Sequence, residues 1–68
     1  MDIVKQFKND RIFSYKRKRA KLMSMIAIEE AKRVFASDKE EVDAKIEDMK
    51  TEVGALDTAI AFYENIFK

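Results

Sequence analysis

From Val42 to Phe67 the apolar residues Val42, Ile46, Met49, Val53, Leu56, Ile60, Tyr63 and Phe67 follow one another in alternating steps of four and three. A repeat averaging 3.5 residues holds an apolar stripe on one side of a helix, and that stripe must be covered by a second helix. Proline is absent and Gly54 is the only glycine, so no residue strongly interrupts a helix and none builds a tight hairpin between strands. The predicted class is all-α.

The covering helix lies upstream. Phe13, Lys16, Ala20, Met23, Ala27, Glu30 and Val34 repeat the three-and-four spacing, with charges at two of the seven positions. Between the two patterns, Ala36, Ser37 and Asp38 form the clearest stop, and Ser37 with Glu40 three residues on reads as a capping box. The expectation is an antiparallel helical hairpin over residues 10–68, with helix 1 over about 10–36 and helix 2 over about 38–67. Reversal at Asp38 places residues whose numbers sum to 76 opposite each other: Val34 with Val42, Ala27 with Met49, Ala20 with Leu56, and Phe13 with Tyr63. Alanine opposite a large residue is how antiparallel helices fill a layer without a void. In this register Lys45 lies near Glu30 and Asp57 near Lys16, and Glu29 is spaced to pair with Arg33. Gly54 falls on the outer surface, where it marks a close approach by another helix. Ile3, Val4 and Phe7 are out of phase with this seam, so residues 1–9 read as an arm or a short N-terminal helix, with Asn9 or Asp10 capping the long helix. The alternative is one continuous helix.

Length sets the next constraint. Ordering 68 residues costs on the order of 100 kcal/mol of conformational entropy at about 1.5 kcal/mol per residue, which a lone hairpin rarely offsets. With no cysteine and no histidine there is neither a disulfide frame nor an ordinary zinc, haem or iron–sulfur site to supply the difference. Self-association remains. Ile12, Tyr15, Leu22 and Ile26 flank the helix 1 seam, and Ala55, Ala59, Phe62 and Ile66 flank that of helix 2. Ile12, Leu22, Ile26, Ala55, Ala59, Phe62 and Ile66 are therefore the expected oligomer interface, closing two hairpins into a four-helix bundle. In length, short turn and alanine-opposite-large layers, this hairpin resembles the ROP-type dimer, a small RNA-binding regulator; the resemblance implies that dimeric architecture.

Charge is segregated beneath a net value of +1. Residues 1–21 carry eight Lys or Arg against Asp2 and Asp10, whereas residues 37–68 carry nine carboxylates against four lysines. The run from Lys16 to Arg19, with Arg11, Lys21 and interleaved aromatics, resembles a phosphate-contacting, base-stacking surface. Arg11, Tyr15, Arg17, Lys18 and Lys21 are the candidate ligand or nucleic-acid residues, against the plainer reading of a solvated helix face. Phe7 and Met25 fall on the polar side, free to touch a partner. No nucleophile and base pair, glycine-rich phosphate loop or metal-ligand spacing occurs, so no enzyme activity, metal or cofactor is expected. The opening MDIVKQFKND lacks the features of a secretory signal, and no apolar run approaches the roughly 20 residues that span a bilayer, so the expected location is the cytoplasm with no membrane partner. The expected function is that of a small non-enzymatic, homo-oligomeric interaction protein, an adaptor or inhibitor that binds a macromolecular partner. The alternatives are a nucleic-acid-binding regulator and a structural self-assembly unit.

Overall fold

The computed structural model describes residues 2–66, and two helices account for nearly all of them: α1 (Ile3–Arg33) and α2 (Lys39–Ile66), packed antiparallel. Phe67, the last residue of the predicted seam, lies outside the described residues. Asp2 caps α1, its Oδ1 accepting from the Val4 and Lys5 amides at 3.1 and 3.2 Å. From there α1 runs unbroken across Asn9 and Asp10, so the first residues are its opening turns rather than an arm or separate helix. The cap of α2 is Asp38, not Ser37: Asp38 Oδ1 accepts from the Glu41 amide at 3.1 Å. Between the helices Phe35 N–H donates to Lys32 O and Ala36 N–H to Arg33 O, and no described residue adopts a positive φ, so the reversal is made without glycine. Lys32 and Arg33 in the last turn of α1, and Glu40 and Glu41 in the first turn of α2, oppose the helix dipoles that meet there.

Helix α2 presents the predicted stripe. Ile46, Val53 and Ile60 are buried, and Val42, Met49, Leu56 and Tyr63 are half-buried beside them. Helix α1 does not. Its inward residues are Lys8, Ile12, Tyr15, Arg19, Leu22, Ile26 and Glu29, one position off the expected seam. Leu22 and Ile26 join Ile46 and Val53 in the core cluster, whereas Phe13 is 64% exposed, Met23 46% and Val34 69%. One residue is about 100° of helix rotation. The two spacings are alike, and the expected seam holds the larger number of apolar residues. Burial energy follows area instead, and two alanines bury far less than Leu22, Ile26 and Ile12. The register of the hairpin survives the rotation: Arg33 faces Asp43 and Arg19 faces Asp57, both pairs keeping the sum of 76. The alanine layers with Met49 and Leu56 do not form, and Tyr15 rather than Phe13 meets Tyr63, with ring centroids 5.8 Å apart.

The result is a rod, 55 × 15 × 11 Å, with a radius of gyration of 15.8 Å against about 11 Å for a compact domain of this length. Among the described residues no side chain is fully buried and no helix is long and apolar enough to cross a membrane.

Candidate interaction surface

Heptad geometry divides the outside of the hairpin into two edges. Asp43, Lys50, Asp57 and Glu64 are spaced seven apart on α2, and each meets an opposite charge on α1: Arg33, Glu30, Arg19 and Lys16 respectively. Every one of these groups is substantially exposed, so water screens each pair and its contribution to stability is small. The tightest is bidentate, with Arg33 Nε donating to Asp43 Oδ1 at 2.6 Å and its second nitrogen to Oδ2 at 3.1 Å. These hydrogen bonds, more than the bare charge, hold the Asp43 carboxyl below its ordinary range and raise the Arg33 guanidinium above its own. All three expected pairings are replaced: Glu30 meets Lys50 rather than Lys45. Glu29 meets Lys32 rather than Arg33, which is taken by Asp43; Asp57 meets Arg19 rather than Lys16, because the rotation of α1 brings Arg19 inward.

On this ion-pair edge α1 displays the stripe that the sequence suggested for the core: Phe13, Ala20, Met23, Ala27 and Val34. Its centre is a groove of about 300 Å³ lined by Met23, Ile26, Ala27 and Val53, with Glu30 and Lys50 at the mouth. The groove exists because Ala27 is short where flanking turns carry longer side chains. On the opposite edge α2 displays Ala55, Ala59, Phe62 and Ile66. Ala55 shares a depression with Lys18 and Glu52, and Phe62 stands 58% exposed, edge-on to Tyr63 at 5.6 Å.

The expected oligomer interface thus divides. Ile12, Leu22 and Ile26 belong to the intramolecular seam, where only the flank of Ile26 reaches the groove, while Ala55, Phe62 and Ile66 are exposed and Ala59 is half-buried. The residues missed by sequence reasoning are Met23 and Ala27 with their neighbours. Their spacing is visible in the sequence, but there it reads as the seam.

The candidate ligand residues divide similarly. Tyr15 is half-buried against Tyr63 and does not present its ring outward. Arg11, Arg17, Lys18 and Lys21 are exposed on α1, Lys18 toward the edge it shares with Ala55 and Leu56 of α2. The Arg11 guanidinium lies 5.1 Å from the Phe7 ring centroid and that of Arg17 lies 6.0 Å from Phe13, each aromatic one turn upstream, which orients the cation while leaving N–H groups outward. Phe13, Ser14, Arg17, Lys18 and Lys21 line a shallow depression of about 440 Å³. The carboxylates of α2 in this half, Asp57 and Glu64, are occupied by Arg19 and Lys16 on the ion-pair edge. Among the described residues no cluster of three His, Cys, Asp or Glu gathers as a metal site. The chain matches no protein-family model, no curated protein and no solved structure.

Proposed function

We propose that the chain is a small, non-enzymatic, self-associating helical protein that acts by presenting helix surfaces to a macromolecular partner, as an adaptor or inhibitor does. The observation that carries this reading is the imbalance between core and surface: five of the described residues are buried, while Phe13, Met23, Met25, Ile28, Phe62 and Ile66, among others, remain 44% exposed or more. A two-helix rod with that much uncovered apolar surface gains stability from a further contact. Sedimentation equilibrium with thermal melting over a range of protein concentrations tests it. The mass should rise above the monomer and the melting temperature should climb with concentration; constant values of both would refute self-association.

A second reading, polyanion binding, draws on Arg11, Arg17, Lys18 and Lys21. It is supported by the separation of charge across the open half of the rod, where Asp57 and Glu64 are engaged on one edge and these four cations stand exposed elsewhere on α1. Titration with an RNA oligomer at two salt concentrations distinguishes it, because phosphate contacts weaken steeply with salt.

A further inference from the structure

We propose that the copies associate head to tail, Phe62 of one chain seating in the Met23–Ala27 groove of the next, so that the assembly stays open-ended rather than closing as a two-fold dimer. This deepens the self-association reading and rests on it.

The two apolar stripes face opposite ways. Met23 and Ala27 share their groove with Glu30 and Lys50, whose pairing marks one edge, whereas Ala55 lies with Lys18 and Glu52 on the other. A two-fold axis brings a patch against its own copy, so one such interface covers one stripe and leaves the other in water. A contact between unlike stripes covers both with a single kind of interface. Because the stripes point away from each other, that contact does not close on two copies.

Shape fits the pairing. Phe62 is the large exposed residue of its stripe, between Ala59 and Ile66, and Ala27 is the small one between Met23 and Glu30. A groove of about 300 Å³ admits a phenyl ring together with an aliphatic neighbour such as Ile66, and interdigitation of large with small is the requirement of helix packing.

Charge sets the direction and the offset. The open half of the rod, residues 1–21 with 55–66, carries eight cations against four carboxylates; the loop half, residues 22–54, carries nine carboxylates against five cations. Stacking copies level would place like halves together. Sliding one copy until its Phe62 reaches a neighbour's Ala27 lays the positive half over the negative half.

Two single-site variants test this, each blocking one stripe and sparing the other. Phe62→Lys removes the knob and leaves the groove; Ala27→Lys fills the groove and leaves the knob. Wild-type mass should climb past twice the 8.0 kDa monomer as concentration rises, and should fall again as salt is raised. Each variant alone should sediment as a monomer with wild-type helicity. An equimolar mixture should form a one-to-one species of twice the monomer mass, because the intact groove of one variant accepts the intact knob of the other. If either variant loses helicity, Ile66→Lys and Met23→Lys replace it on the same stripe. A wild type that stops at a dimer, or a mixture that stays monomeric, overturns the head-to-tail arrangement while leaving self-association standing. A wild type that is monomeric at every concentration, or that gains mass only when an RNA oligomer is added, overturns both.

Discussion

Arg33 and Asp43 clasp the two helices at the loop end through two hydrogen bonds, Nε to Oδ1 at 2.6 Å and the second nitrogen to Oδ2 at 3.1 Å. Because the pair lowers the folded-state pKa of Asp43, its contribution is present above the ordinary carboxylate value of about 3.9 and is lost as pH falls through the lowered folded value. Arg33 stays charged throughout. In Arg33→Gln the Asp43 carboxyl should titrate at a higher pH, read from its carbon-13 shift. Wild-type and variant melting temperatures should differ slightly near neutrality and converge in acid. An Asp43 midpoint identical in both proteins would show that the fork does not persist in solution.

The rotation of α1 predicts which side chains matter to the hairpin itself. Leu22→Ala and Ile26→Ala remove buried area facing Ile46 and Val53 and should cost about 2 to 3 kcal/mol each, the low end for such truncations because this core is thin. Met23→Ala, one residue away, should cost under about 1 kcal/mol in urea unfolding at dilution, since Met23 is close to half exposed. Equal losses at positions 22 and 23 would return the seam to the phase with Met23 inside.

Much of the hairpin was legible in the sequence, for a definite reason. The stripe of α2 contains a large apolar residue at every step, so no second phase competes with it, and reversal at Asp38 comes from polar caps beside the only break in the pattern. Helix α1 offers two stripes. The one with more apolar positions relies on Ala20 and Ala27, which bury little area; the one that folds inward concentrates its apolar content in Ile12, Tyr15, Leu22 and Ile26 and tolerates Arg19 because Asp57 is there to meet it. That compensation is a tertiary fact, invisible to spacing alone. The same ambiguity governs which α1 residues stay exposed, since whichever stripe faces α2 leaves the other uncovered. The exposure of Arg11, Arg17, Lys18 and Lys21 was legible because charged heads keep to water, and even the inward-lying Lys8 and Arg19 are only partly covered; the placement of Tyr15 was not, because its face changed with the rotation.

Gly54 sits on an outward face of α2, and a methyl group added there meets nothing within 4 Å. Gly54→Ala should therefore stabilise the chain by about 0.5 to 1 kcal/mol through helix propensity, raising the melting temperature by several degrees for a protein of this size. The groove at Ala27 and the knob at Phe62 do not include it, so the oligomeric mass should stay the same. A loss of mass in this variant would mean that another helix approaches at Gly54, as its outward position in the sequence pattern suggests.

The cationic face of α1 gives the prediction closest to function. Changing Arg17, Lys18 and Lys21 together to Gln leaves the core and the ion-pair edge untouched and reaches only the margins of the apolar stripes, where Arg17 lies over Phe13 and Lys18 beside Ala55, and exposed substitutions of this kind usually shift stability by no more than about 0.5 kcal/mol each. Helicity should be unchanged, whereas any head-to-tail association should weaken as it does in raised salt, because three of the eight cations of the positive half are gone. If these residues hold phosphates, affinity for an RNA oligomer should fall, and the slope of log affinity against log salt should flatten by up to roughly 2 to 3 units, each phosphate contact contributing about 0.7 to 0.9. Lys16 and Arg19 serve as the internal contrast. They stand in the same basic run but already pair with Glu64 and Asp57, so replacing them should weaken the hairpin more than it flattens the salt slope. Equal flattening from both sets would mean that the RNA responds to the positive half of the rod as a whole rather than to its outer face.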